Sequence, residues 1–225
     1  MNRIYIPASS AEDWAQFLAE PVKQWRSGYS ARTLAYSWQE ADGFPAEAKA
    51  VLSTSKEFAD IEMLLGIPEH QVPLPGGSRP SQNDLWVLAR SGSALVSIAV
   101  EGKVSEPFGP TLDEWLVDSS QGKLTRLAYL CEQLGLEEPL PGTVRYQLLH
   151  RTASAVIEAR RCCARHAIML VHSFSQTHEW FTDYSAFARL VGAEVEVNRL
   201  VSVGRRGEVD LHLCWVCGDA RYLRR

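Results

Sequence analysis

The sequence predicts an α/β protein with a mixed central sheet flanked by helices. Three observations carry that expectation: helical periodicity through the first 66 residues, a β-hairpin pattern over residues 84–104, and alternating helical and strand patterns from there to residue 217. Of the 225 residues, 46% are hydrophobic and 22% charged, which suits one substantial core. Seven Trp, seven Tyr and seven Phe spread along the chain argue against disorder. Lys and Arg number 23 against 27 Asp and Glu, a formal net charge of −4, so a general basic surface for nucleic acid is excluded.

The N-terminal helices have clear punctuation. Ser10, with Asp13 three residues on, resembles a capping box, and Trp14, Phe17 and Leu18 follow at helical spacing until Pro21. A second helix is expected after Ser30 through Leu34, Tyr36 and Trp38 to Gly43, and Pro45 suits the first turn of a third. Residues 55–65 complete the set, stopped by Gly66. Their apolar stripes need a partner, so residues 1–66 are expected to form a helical extension on an α/β core spanning 67–225, all within a single domain. Residues 67–83 (IPEHQVPLPGGSRPSQN) are expected to be a functional loop.

Two apolar runs follow, DLWVLA from residue 84 and ALVSIAVEGKV from residue 94. Gly92 and Ser93 suit the central positions of a type II′ turn. In that register Leu85 faces Val100, Val87 faces Ile98 and Ala89 faces Val96, which puts three apolar pairs on one face. Downstream, Thr111 suits the cap of a short helix through Trp115, and helices are expected over 122–134, 145–164 and 180–190. Residues 167–174 (AIMLVHSF) have the continuous apolar character of a strand buried on both faces. Residues 194–203 and 208–217 read as a second hairpin around 204–207.

The first hairpin also places Asp84 across from Glu101 on its other face. Opposed like charges destabilise a sheet unless something positive lies between them. Two such carboxylates suit a hard divalent cation, Mg²⁺ or Mn²⁺. Lys103 lies two residues beyond Glu101 and so shares that face, where its ammonium can orient or help deprotonate a metal-bound water. Residues 97–104 are mostly apolar, so Glu101 and Lys103 occupy what reads as a central strand, where idle charges are costly.

Asp84 followed after a hairpin by Glu101-Gly102-Lys103 resembles the D…(D/E)XK signature of the PD-(D/E)XK nuclease superfamily, which includes restriction and repair nucleases. The chain as a whole is similar to uncharacterised bacterial proteins loosely attached to that superfamily. The resemblance implies a restriction-endonuclease-like core and Mg²⁺-dependent cleavage of nucleic acid, with DNA as the expected substrate. It implies Asp84 and Glu101 as metal ligands, Lys103 as the residue positioning water, Gln147 on a following helix as their support, and Glu62 on a preceding helix as a further acid. Two departures accompany it: Asn83 stands where the motif has Pro, and helices between residues 111 and 134 lengthen the path to Gln147.

Each of these residues also has a plain structural reading. Alone, an E-x-K triplet is a surface ion pair, and Gln147 is a polar residue on a solvated helix face. His150, one turn on from Gln147, is a lesser candidate for substrate phosphate, and His172 reads as a hydrogen-bonded core histidine. Cys214 and Cys217 would point to opposite faces of a strand, so structural thiols are expected. The arginines at 160, 161, 165, 205, 206, 221, 224 and 225 read as solvated, and Pro75-Gly76-Gly77-Ser78 lacks the ending of a phosphate-binding loop.

The alternative to an enzyme is a non-catalytic member of the same fold that binds nucleic acid or protein, such as a partner in a defence or toxin system. A hydrolase of another substrate using the same carboxylates is a third possibility. The odd count of five cysteines and the opening MNRIYIPASSAEDW, without a charged-then-apolar leader, point to the cytoplasm. No apolar run approaches the roughly 20 residues that cross a bilayer, so no membrane association is expected.

Overall fold

The computed structural model describes residues 8–225. A 3₁₀ turn, Ala11–Phe17, comes first, with the Ser10 N–H donating to Asp13 Oδ2 at 3.0 Å. The capping pair is as expected, but the segment before Pro21 is too short to sustain an α-helix. Helix α1 (Pro21–Gln24) starts on the proline expected to end one, because its fixed φ suits a first turn. Helices α2 (Ser30–Glu40) and α3 (Ala46–Leu52) follow, burying Leu34, Ala35, Trp38, Val51 and Leu52.

The fourth expected helix is absent. Residues 56–58 make one 3₁₀ turn, and strand β1 (Glu62–Val72) then runs into the first third of the segment expected to be loop. Gly66 and Pro68 weaken any helix there, and pairing with the next strand decides the outcome. Pro68 is tolerated because β1 lies at the sheet edge. The helical extension therefore ends near Phe58, and the sheet begins at Glu62.

Strands β2 (Ser81–Ser91) and β3 (Ala94–Lys103) have the expected register, including Leu85–Val100, Val87–Ile98 and Ala89–Val96. Gly92 holds φ 54°, as the turn requires of its first central residue. Next come α4 (Leu112–Leu116), α5 (Gln121–Leu134), α6 (Tyr146–Arg161), β4 (His166–Ser173) and α7 (Phe181–Leu190). Strands β5 (Arg199–Arg206) and β6 (Val209–Cys217) close the sheet. β5 begins five residues later than expected and extends through Gly204, where the register shifts, so the turn lies at 207–208.

The sheet has six strands in the order β1-β2-β3-β4-β6-β5. β3–β4 and β4–β6 are parallel and the other pairs antiparallel. This is the α/β, mixed-sheet class expected from the sequence. One face packs on α5, α6 and α7 through Leu130, Leu148, Leu149, Val156 and Phe187. The other packs on the N-terminal helices through Leu34, Trp38, Leu52 and Phe58. Central β4 is buried throughout, which explains its unbroken apolar sequence. Among the described residues, no helix is long and apolar enough to cross a membrane.

Candidate functional site

The β2–β3 ladder has Leu85–Val100 as its last pair, so the strands part where Asp84 and Glu101 stand. Asp84 Oδ2 instead accepts the Gly102 N–H at 2.8 Å. Gly102 suits the middle of the triplet because a Cβ there would meet Leu34 at 3.3 Å and Asp84 Oδ2 at 3.4 Å. β3 continues beside β4 through Lys103–Ser173, which carries Glu101 and Lys103 on a strand paired to its end.

Helix α6 covers these residues. Gln147 Nε2 donates to Glu101 Oε1 at 2.7 Å, and Lys103 Nζ reaches the same oxygen at 2.8 Å and Gln147 Oε1 at 3.2 Å. Asp84, Glu101, Lys103 and Gln147, all singled out in the sequence, thus share one cleft of about 490 Å³. The side chains of Glu101 and Lys103 are only 2% and 5% exposed. The Lys103 ammonium also lies 4.8 Å from the centre of the Phe108 ring, a cation–π contact.

Glu62 is elsewhere. It begins β1 opposite Arg90, with which it forms a 3.0 Å ion pair, and it does not line the cleft. The acid contributed by β1 is Glu69, whose Oε2 accepts from Gln82 Nε2 at 2.7 Å. Glu69 has φ 52°, a left-handed conformation that costs a non-glycine about 1 kcal/mol or more, and such strain concentrates at functional sites. Sequence reasoning passed it over because its segment resembled loop.

It also passed over Arg151, which donates from Nε to Glu101 Oε2 at 2.6 Å and lies 4.0 Å from Asp84 Oδ1. Its signal was available, since four residues from Gln147 is one helical turn.

The charges do not balance. Among the described residues, four carboxylates (Glu69, Asp84, Glu101 and Glu106) and three cations (Lys23, Lys103 and Arg151) line the cleft. Burial, with the neighbouring Glu101 charge adding to it, raises Asp84 to about 7. Burial and then Asp84 raise Glu69 to about 8. Glu101 is depressed instead: Lys103 and Arg151 outweigh the opposing effect of its own burial. Three oxygen-donor carboxylates with an excess of negative charge fit a hard divalent cation, and Asp84, Glu101 and Glu69 would hold it. The Arg151 guanidinium would then have to yield Glu101 Oε2.

The remaining candidates have structural partners. His150 Nδ1 lies 2.7 Å from Ser81 Oγ, within a buried serine cluster that includes Ser154, and does not line the cleft. His172 is a core histidine, accepting from Trp38 Nε1 at 3.0 Å. Cys214 is buried and Cys217 half-buried, and both are free thiols. Arg161, Arg165, Arg205, Arg221 and Arg225 pair with nearby carboxylates.

The N-terminal layer forms the other wall, through Leu18, Lys23, Gln24 and Tyr29. Glu106 fastens it there by accepting from the N–H groups of Ser30 and Val104, each at 2.9 Å. α2 has no side-chain cap of its own, so a carboxylate distant in sequence stabilises its first turn.

Comparison with curated proteins and with solved structures gives no match. A family model, described as a domain of unknown function (DUF6946), matches residues 7–220. The chain, matched over nearly its whole length, belongs to the DUF6946 family.

Proposed function

We propose that this protein is a Mg²⁺-dependent nuclease that hydrolyses phosphodiester bonds, with DNA as its substrate and Mn²⁺ able to replace Mg²⁺. The observation that carries the proposal is the convergence of Asp84, Glu101, Lys103 and Gln147 in one cleft, with Lys103 and Gln147 both bonded to Glu101. The D…ExK resemblance to the PD-(D/E)XK superfamily supports the same chemistry. A bound cation would polarise a phosphoryl oxygen and lower the pKa of an attacking water.

Within this scheme Asp84, Glu101 and Glu69 bind the cation. Lys103, held by Glu101 and Gln147, directs a donor toward the nucleophile and stabilises the charge it develops. Gln147 is a positioning residue, since its amide spans Glu101 and Lys103. Arg151, once released from Glu101, can pair with a non-bridging phosphate oxygen.

Arg151 also favours a second reading. A guanidinium already bonded to Glu101 can serve as a permanent counter-ion, as expected of a non-catalytic binding member of the fold that engages nucleic acid or a protein partner. Cleavage of plasmid and oligonucleotide DNA with Mg²⁺ or Mn²⁺ decides between them. The nuclease reading expects Asp84→Ala, Glu101→Ala and Lys103→Ala each to lose at least about 100-fold in rate, a few kcal/mol of transition-state stabilisation. Equal activity in wild type and variants, or no calorimetric heat of Mg²⁺ binding, refutes it.

A further inference from the structure

A second cluster of chemical groups lies away from the cleft, on the other face of the sheet. His166 begins β4 and shares a face with Ile168 and Leu170, five residues along the strand from the level of Glu101. That separation is roughly 17 Å at about 3.3 Å per residue. His212 of β6 stands diagonally beside it, and Glu57 belongs to the 3₁₀ turn that joins α3 to β1.

We propose that Glu57, His166 and His212 form a Zn²⁺ site, with solvent as the fourth ligand. One donor atom from each residue lies within 4.8 Å of the other two. His166 Nδ1 and His212 Nε2 are 3.3 Å apart. A tetrahedral zinc with Zn–N distances of about 2.0–2.1 Å requires ligand-to-ligand edges of about 3.3–3.4 Å, so the two rings are already spaced for it. Any gap left to Glu57 is at most about 1.5 Å, which an exposed side chain can close by rotation.

Ring placement is fixed by packing. Both histidines are buried, and the Phe58 ring stands edge-on to each at 5.1 Å between centroids. Phe58 closes the apolar side, and exposed Glu57 leaves an entry path. Two imidazoles select zinc-like ions over Mg²⁺ or Ca²⁺, which prefer oxygen. Asp210, which also acts electrostatically on both histidines, is held by Arg165 and Arg205 and stays outside the ligand set. Without metal, one imidazole N–H can donate to the other ring. With it, the ion fastens the turn after α3 to β4 and β6, joining the helical layer to the sheet.

The test uses the full chain, stripped with a chelator and titrated calorimetrically with Zn²⁺, then loaded with Co²⁺ for absorption spectroscopy. The expected result is one site per chain, the visible bands of a tetrahedral Co²⁺ centre and an unfolding midpoint raised by several degrees. His212→Asn abolishes the site, and Glu57→Gln weakens it by at least about tenfold. Glu57→Gln alters an exposed residue, so it remains informative if His212→Asn fails to fold. The titration is run in excess Mg²⁺, which prefers the oxygen donors of the cleft to two imidazoles, and this separates the two sites. Absence of saturable binding, binding undiminished by Glu57→Gln, or loss in Cys217→Ser, whose thiol lies 3.6 Å from His178 Nδ1, would overturn the proposal.

Discussion

At the scale of single residues, Arg151 decides how the cleft behaves. Its bond to Glu101 neutralises a carboxylate whose side chain is 2% exposed. Removing one partner of such a buried pair costs about 3–5 kcal/mol, because the other is left charged and unpaired. Arg151→Ala is therefore expected to lose that much in urea unfolding. If a cation can take the place of the guanidinium, Mg²⁺ should raise the unfolding midpoint more in Arg151→Ala than in wild type; an equal effect in both would count against metal at Glu101. Asp84 and Glu69 give a pH prediction. Their pKa values, near 7 and 8, lie above those of the unfolded chain, so folding takes up protons. Their contribution is full below the unfolded carboxylate range and is lost as pH rises through 7 to 8. The metal-free protein should therefore show an unfolding midpoint that falls as pH rises from the unfolded carboxylate range, about 4, and levels off above about 8, and Asp84→Asn with Glu69→Gln should flatten that limb. Mg²⁺ competes with the same protons and should stabilise more at the alkaline end. His212, lowered to about 4 by burial and by neighbouring His166, acts in the opposite sense, its contribution being lost as pH falls below the ordinary histidine range.

At the scale of elements, β3 and α6 build the cleft together, and their legibility in the sequence differs from that of β1. The hairpin register was readable because three apolar pairs and a Gly-Ser turn all required it. α6 was readable from its periodicity, so Gln147 could be placed, while the role of Arg151 depended on a contact made only in the folded chain. β1 was unreadable because Gly66 and Pro68 mark breaks in a local reading, and only pairing with β2 makes the segment a strand. Glu62 was accordingly assigned in place of Glu69, seven residues further along the same strand. The Glu57, His166 and His212 cluster gave no local signal, because its members come from three elements far apart in the chain. Gly102 shows how closely these layers meet. Its position between Leu34 and the Asp84 carboxylate has no room for a branched side chain. Gly102→Val is expected to cost about 1–3 kcal/mol by overpacking and to reduce cleavage by moving Asp84, measured as a lower urea midpoint with a lower rate. Unchanged stability would mean that α2 is free to move away from β3.

At the scale of the whole molecule, the net charge of −4 limits how a nucleic acid can be held. Part of the negative charge belongs to the cleft itself, where Glu69, Asp84 and Glu101 are proposed to meet a cation. Several arginines elsewhere are paired within the chain, among them Arg161 with Glu158 and Arg165 and Arg205 with Asp210. The cationic residues lining the cleft are Lys23, Lys103 and Arg151. Each phosphate neutralised by such a group releases counterions, and log affinity falls with log salt by about 0.9 per phosphate on duplex DNA. With these three groups among the described residues, the slope expected is roughly −3. Anisotropy titrations of a labelled duplex with Ca²⁺ in place of Mg²⁺, over a range of salt, would measure it. A shallow slope places recognition in the cleft, whereas one steeper than about −6 would require a basic contact surface beyond it. In the expected case Lys23→Ala, which alters an exposed residue on the N-terminal wall, should remove close to one unit of slope and leave the unfolding midpoint unchanged.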